Sequence, residues 1–186
     1  MRFLFISGLL SLLTACGGAG ENYYRLNATV PATTGSTDSG LSVAIGPVSL
    51  PGYIDRAEVV FASGPNEFQI PTNALWAGSL RENISHAVAA DLGRVLGSDE
   101  VRAGLESGSP SRYRVALDIR QFHGISGQEA ILDLTWRIQG GASAETISRH
   151  SGSFREPIIG DGYAPLVAAE SRLLGQCAAA IAKSLR

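Results

Sequence analysis

The chain has 186 residues, 45% of them hydrophobic and 17% charged, with 15 basic and 17 acidic residues for a formal net charge of −2. That size and balance suit one globular domain with a respectable core. The mild acidity argues against a nucleic-acid-binding surface and against a polybasic membrane clamp.

The chain opens with Arg2 ahead of an apolar run from Phe3 to Leu13, closed by Leu13-Thr14-Ala15-Cys16. A basic start, an apolar middle and small residues at a cleavage point make a secretory signal. The run is too short to cross about 30 Å of hydrocarbon, which needs about 20 residues. Leu-Thr-Ala-Cys resembles the bacterial lipobox, whose cysteine is lipidated and becomes the first mature residue. The expected organisation is a lipoprotein signal peptide over 1–15, a lipidated tether over 16–22 and a domain over 23–186. An ordinary cleaved signal with an incidental cysteine is the plainer alternative. Each buried methylene of an acyl chain contributes about 0.8 kcal/mol, so several chains on Cys16 hold firmly. Losing Arg2 with the leader leaves 14 basic against 17 acidic residues, a net of −3, and puts the anchoring on the lipid alone. In proteins with this lipobox an Asp after the cysteine tends to retain the protein at the inner membrane. Gly17 stands there instead, so the resemblance implies the periplasmic face of the outer membrane.

Gly17 to Asn22 can reach at most ~25 Å at about 3.5 Å per residue, so the domain stays close to its membrane. Tyr23 to Leu26 reads as a first short strand. Ala28 to Gly40, rich in Thr, Ser, Gly and Ala, reads as a mobile loop. Leu41 to Ile45 alternates as a strand, which Pro47 is expected to end or to place at an edge. Leu50-Pro51-Gly52-Tyr53-Ile54-Asp55-Arg56 is a turn or single helical turn. Glu58 to Phe61 and Glu67 to Ile70 read as strands, with hairpin chemistry in Gly64-Pro65-Asn66. Thr72 or Asn73 is expected to cap a helix running to about Leu96, striped by Leu80, Ile84, Ala87, Val88, Leu92, Val95 and Leu96 and ended by Gly97. Glu100 to Arg102 reads as a short strand.

A meander follows. Tyr113, Val115, Leu117 and Ile119 alternate with polar residues, as do Ala130, Leu132, Leu134, Trp136 and Ile138. Gly140-Gly141 then turns the chain into 145–154. One face is apolar and one wet, as in antiparallel strands. Asp118 and Asp133 can pair across strands with Arg114, Arg120 or Arg137 on the wet face. A last helix from about Tyr163 to Leu185, capped by Asp161, turns Leu166, Val167, Leu173, Leu174, Cys177, Ile181 and Leu185 to one side. The order predicts a single α/β domain of α+β-like arrangement, a mixed sheet with an antiparallel meander and two main helices packed on it.

Catalytic and metal signatures are sparse. His86, His123 and His150 lack metal spacing, so no metal and no cofactor beyond the lipid on Cys16 is expected. There is no Gly-x-Ser-x-Gly elbow and no phosphate-binding glycine loop. Asp118 and Asp133 facing each other could form an acid–base pair, but the arginines around them would hold both ionised. The chain is therefore not expected to be an enzyme. Cys177, among apolar neighbours, reads as a small buried hydrophobe rather than a redox or nucleophilic thiol. Tyr53 after a Pro-Gly pair and Trp76 at a helix start are either core plugs under a loop or a binding edge for a partner protein or lipid tails.

Tyr23-Tyr24-Arg25-Leu26, Val48-x-Leu50-Pro51-Gly52-Tyr53-Ile54-Asp55-Arg56, and Trp76-Ala77 before Leu80 together resemble the PqiC-like, ABC-type transport auxiliary lipoprotein family. The likeness continues through Tyr113, the Trp136 strand, Phe154 and Tyr163-x-x-Leu166-Val167-x-Ala169-x-Ser171. Ala57, Leu75 and Gly78-Ser79 depart from the residues frequent in that family. The resemblance implies a non-catalytic outer-membrane lipoprotein that docks an MCE-domain protein and works with an inner-membrane transporter component, with a possible homo-oligomer. Such a system would move lipids or other hydrophobic molecules between membranes and maintain envelope integrity. It implies a partner or lipid interface at Leu50, Pro51, Tyr53, Ile54, Asp55, Arg56 and Trp76. A lipoprotein regulator of a cell-wall synthase or other envelope complex is the alternative, for which the tether is short; an anchored periplasmic hydrolase is a third.

Overall fold

The computed structural model describes residues 20–31, 40–104, 111–125, 127–141 and 145–185. The leader, Cys16 and the start of the tether lie outside them. The elements are β1 (Asn22–Tyr24), β2 (Val43–Ser49), β3 (Phe61–Gly64), β4 (Glu67–Gln69), β5 (Ala74–Trp76), α1 (Leu80–Leu96), β6 (Val101–Ala103), β7 (Tyr113–Ile125), β8 (Glu129–Gly140), β9 (Thr146–Pro157) and α2 (Tyr163–Ser184).

The long strand β7 is the spine of a mixed sheet. β8 pairs antiparallel along one edge of it, and β9 pairs antiparallel with β8. The other edge is shared: parallel β2 takes the first half, from Tyr113 to Asp118, and parallel β3 takes the end, at Gly124 and Ile125. β6 and β4 extend the sheet beyond β2 and β3. Both helices lie on one face. The alternating residues of β7 and β8 sort as their pattern predicts: Val115, Leu117, Ala130, Leu132, Leu134, Trp136 and Ile138 are all buried beneath the helices. The Trp136 indole N–H donates to Ser184 Oγ at 3.1 Å, tying β8 to the last turn of α2. Cys177 is fully buried, and burial pushes its thiol up to about 12. It is the inert hydrophobe its surroundings predict.

Several expectations need correction. Pro47 neither ends β2 nor lies on an outer strand. β2 runs on to Ser49 between β6 and β7, but β6 pairs only Val43 to Ile45 and the β7 register shifts between Ile45 and Val48. The missing N–H of Pro47 therefore falls where no ladder asks for it. The strand expected at 58–61 lies at Phe61–Gly64; Glu58 makes only an isolated bridge to Leu75. The helix expected from Thr72 begins at Leu80 behind Ser79, because Ala74–Trp76 is drawn into a strand by parallel pairing with β1. Thr72 and Asn73 thus cap nothing. Gly162, not Asp161, occupies the cap position of α2, with φ at 88°, where glycine costs least. Gly97 closes α1 in the left-handed conformation as expected.

The segment after Ala28 is anchored at its start. The Thr29 and Val30 N–H groups both donate to Asp91 Oδ1 at 2.8 Å, and Arg94 Nη1 donates to the Val30 carbonyl at 2.7 Å. Gly175 in α2 makes room for it, since a Cβ there would meet Thr29 Oγ1 at 2.5 Å.

Glu170, in α2, is 1% exposed, and its Oε2 has no hydrogen-bond partner. Burial pushes its carboxyl well above the ordinary 4.5. The native state then holds a proton that the unfolded chain releases, so stability falls as pH rises past the unfolded value. Glu170→Gln should remove that slope. In urea titrations across pH, the variant should gain on the wild type above about pH 4.5 and lose the advantage below about pH 4.

Candidate functional site

β2 leaves β7 at Ser49, opposite Asp118, and β3 rejoins it at Phe61, opposite Gly124. The link 50–60 spans that interval. Its turn is closed by the Pro51 carbonyl, which accepts from the Ile54 N–H at 3.1 Å and the Asp55 N–H at 3.2 Å. Arg81, in the first turn of α1, holds it in place. Arg81 Nε donates to Asp55 Oδ1 at 3.0 Å and Nη1 to the Val48 carbonyl at 2.7 Å. Both partners of this ion pair are well exposed, so it contributes roughly 0–1 kcal/mol and mainly fixes geometry.

The residues of the expected interface divide into two sets. Leu50, Ile54 and Trp76 are buried in the core, at 8%, 2% and 5% exposure, and support the surface from below. Trp76 also donates its backbone N–H to the Ala57 carbonyl at 2.7 Å, joining β5 to the link. Asp55 and Arg56 are exposed, and Pro51 and Tyr53 are half-buried. Arg56 Nε donates to Glu58 Oε2 at 2.8 Å.

Tyr53 leads onto the sheet face that the helices leave uncovered. Its hydroxyl shares a 3.0 Å hydrogen bond with His123 Nδ1. Phe68 of β4 packs against both rings, tilted to Tyr53 at a centroid distance of 4.7 Å and edge-on to His123 at 5.1 Å. Burial, then the positive Arg155, pushes His123 below its ordinary value, so the ring is neutral at pH 7. Burial raises Tyr53. Phe68 and Ile70 are exposed at 40% and 42%. Sequence reasoning missed Phe68 and His123 as members of this group. The alternation Glu67-Phe68-Gln69-Ile70 was the available signal, two apolar side chains on one face of an edge hairpin.

Beyond His123 the uncovered face turns charged. Asp133 takes bonds from Arg155 Nη1 at 2.9 Å and Nη2 at 3.4 Å. Burial alone would raise its carboxyl, but Arg155, Ser153 and Arg120 hold it below the ordinary value. Its close partner is thus Arg155 of β9, not Arg114, Arg120 or Arg137. Asp118 lies opposite Thr135 and Asp133 opposite Gln121, so the two aspartates do not face each other and form no acid–base pair. Farther along, Arg137 lies directly opposite Arg149, and Arg114 lies opposite Gln139. His150 stacks on Trp136 at 5.5 Å, and His86 is exposed on α1. Among the described residues no cluster of three potential metal ligands exists, and no helix is long and apolar enough to cross a membrane. The arrangement offers a surface for binding, an aromatic patch beside a charged sheet face.

The sequence matches the family described as the ABC-type transport auxiliary lipoprotein component over residues 24–182. No curated protein matches it. Among solved structures it is similar to the crystal structure of an uncharacterized protein, at 21% identity and a TM-score of 0.74, over 90% of this chain and 100% of that one. It is also similar to protein XCC0632 from Xanthomonas campestris, of the DUF330 family, at 17% identity and a TM-score of 0.67, over 87% and 92% of the two chains. At those identities the structures speak for the fold.

Proposed function

The chain belongs to the ABC-type transport auxiliary lipoprotein family, and from that premise we propose that it is a non-catalytic docking subunit of an MCE-type intermembrane transport system. Lipid on Cys16 holds it at the periplasmic face of the outer membrane. An MCE-domain protein, fed by an inner-membrane transporter component, meets it there, and lipids or other hydrophobic molecules cross between the membranes through the joined parts. The family match from residue 24 onward, directly behind Leu13-Thr14-Ala15-Cys16, carries this reading.

The docking surface in this reading is the Pro51–Arg56 turn with the Tyr53 and Phe68 rings, supported by the buried His123. Tyrosine and phenylalanine are over-used in interface cores, and Arg81 and the buried Ile54 and Leu50 hold this patch rigid, which lowers the cost of ordering it on binding. Self-association into a ring would present the same patch several times to one partner. The protein purified from membranes in mild detergent should bring down an MCE-domain protein, and Tyr53→Ala should lose it. Co-purification of a cell-wall synthase instead would support the regulator reading. Activity screens with ester, phosphoester and peptide substrates should find no turnover that Asp118→Asn removes.

A further inference from the structure

Among the described residues five large apolar side chains are exposed: Tyr23, Phe68, Ile70, Ile147 and Ile159. Phe68 belongs to the Tyr53 group, and Ile147 lies at the start of β9. Ile70 shares the hairpin face of Phe68 and falls to the same patch, whereas Ile159 and the start of β1 lie at the end of the domain where β7 finishes. Phe61 pairs with Gly124 near the end of β7. Ile159, 80% exposed, comes two residues after Pro157, which pairs with Glu129 at the start of β8. Tyr23 precedes Tyr24, whose ring lies 6.2 Å from Tyr163, and Tyr163 lies 5.9 Å from Phe61. Beside Ile159 opens a cavity of about 290 Å³ with mainly apolar walls, Phe61, Ile125, Ile158, Tyr163 and Leu166, and with Asp161 also lining it.

This is also where the tether enters. Cys16 stands six residues before Asn22, so a bilayer holding its lipid lies within about 25 Å of β1. We infer that this end of the domain rests in the bilayer, with Ile159 and the mouth of the cavity in contact with the acyl chains of its lipids. The inference rests on the lipid anchor proposed above and adds a second contact that fixes the domain's orientation. Charge favours a hydrophobic contact over an electrostatic one. Glu21, Glu67, Glu129 and Asp161 border this end, Arg155 is committed to Asp133 and Glu129, and Arg172 is paired with Glu156. Arg114, with Arg137 and Arg149 beside it, lies near the opposite end of β7, ten residues and roughly 33 Å away. That is several Debye lengths from a headgroup layer at physiological salt.

The test uses the full lipoprotein, matured in cells and reconstituted into phosphatidylcholine vesicles, with an environment-sensitive fluorophore on Ile159→Cys or, as control, Arg149→Cys. The buried, high-pKa Cys177 thiol and an acylated Cys16 leave the new thiol as the labelling site. Nitroxides on acyl chains should quench the probe at 159 severalfold more than the probe at 149. Replacing part of the phosphatidylcholine with phosphatidylglycerol should not increase that quenching. Equal, weak quenching at both positions, in protein that floats with the vesicles, would overturn the contact and leave the anchor standing. Protein that does not float, and that takes label at Cys16 in the otherwise unchanged chain, would remove the anchor and this inference with it. Quenching that appears only with phosphatidylglycerol would overturn the hydrophobic contact in favour of headgroup attraction.

Discussion

Trp76→Ala should lower the free energy of unfolding by about 3–5 kcal/mol, the usual cost of deleting a large buried aromatic. Trp76 is 5% exposed and sits where three segments meet. Its own strand pairs with β1, its backbone N–H donates to the Ala57 carbonyl, and its side chain joins the core. The cavity left behind has little means of collapsing, because the surrounding backbone is held by those hydrogen bonds. Against a total stability of roughly 5–15 kcal/mol for a domain, the loss is a large fraction, and equilibrium urea unfolding followed by circular dichroism should show it as a lower midpoint at unchanged slope. Tyr53→Ala is the contrast. Its half-buried ring should cost clearly less stability than Trp76, while the proposed partner contact is lost. A Trp76→Ala cost under about 1 kcal/mol would mean that β5 and β1 are not part of the cooperative core.

The second large effect is all-or-none. Cys16→Ala should yield a protein that takes up no lipid, sediments with the soluble periplasmic fraction and fails to restore envelope integrity to a deletion strain. Acyl chains supply membrane affinity in proportion to buried methylenes, and a single chain already gives only marginal binding. The domain alone, with a net charge of −3 once the leader is gone, has no electrostatic substitute for them. Metabolic labelling with a fatty-acid analogue reads the first outcome and complementation the last. Complete rescue by the secreted, unlipidated variant would show that the anchor is dispensable.

The meander, the two helices and the layering were legible because each depends on a local repeat. Alternation in 113–119 and 130–138 placed the inward side chains correctly, and the 3.6-residue stripes of α1 and α2 did the same. What escaped the sequence depends on partners far away in the chain. Ala74–Trp76 looks like the start of a helix until β1, some 50 residues earlier, pairs with it. Pro47 looks like a strand terminator until β6 is seen to stop pairing at Ile45. The 28–31 segment looks loose until Asp91, some 60 residues on, is found holding its N–H groups. The site behaved the same way. The Pro51–Arg56 stretch announces a turn, but only tertiary structure reveals that Phe68 extends its surface and that His123, Leu50, Ile54 and Trp76 lie buried beneath it.

The central claim is that this surface receives a transport partner, and site-specific photocrosslinking in cells tests it most directly. A photoreactive residue at Tyr53, with a control at exposed Glu145, would be activated in growing cells and the adducts identified by mass spectrometry. The account predicts an MCE-domain protein crosslinked from position 53 and not from position 145. A cell-wall synthase at position 53, or adducts only between copies of this chain, would contradict it.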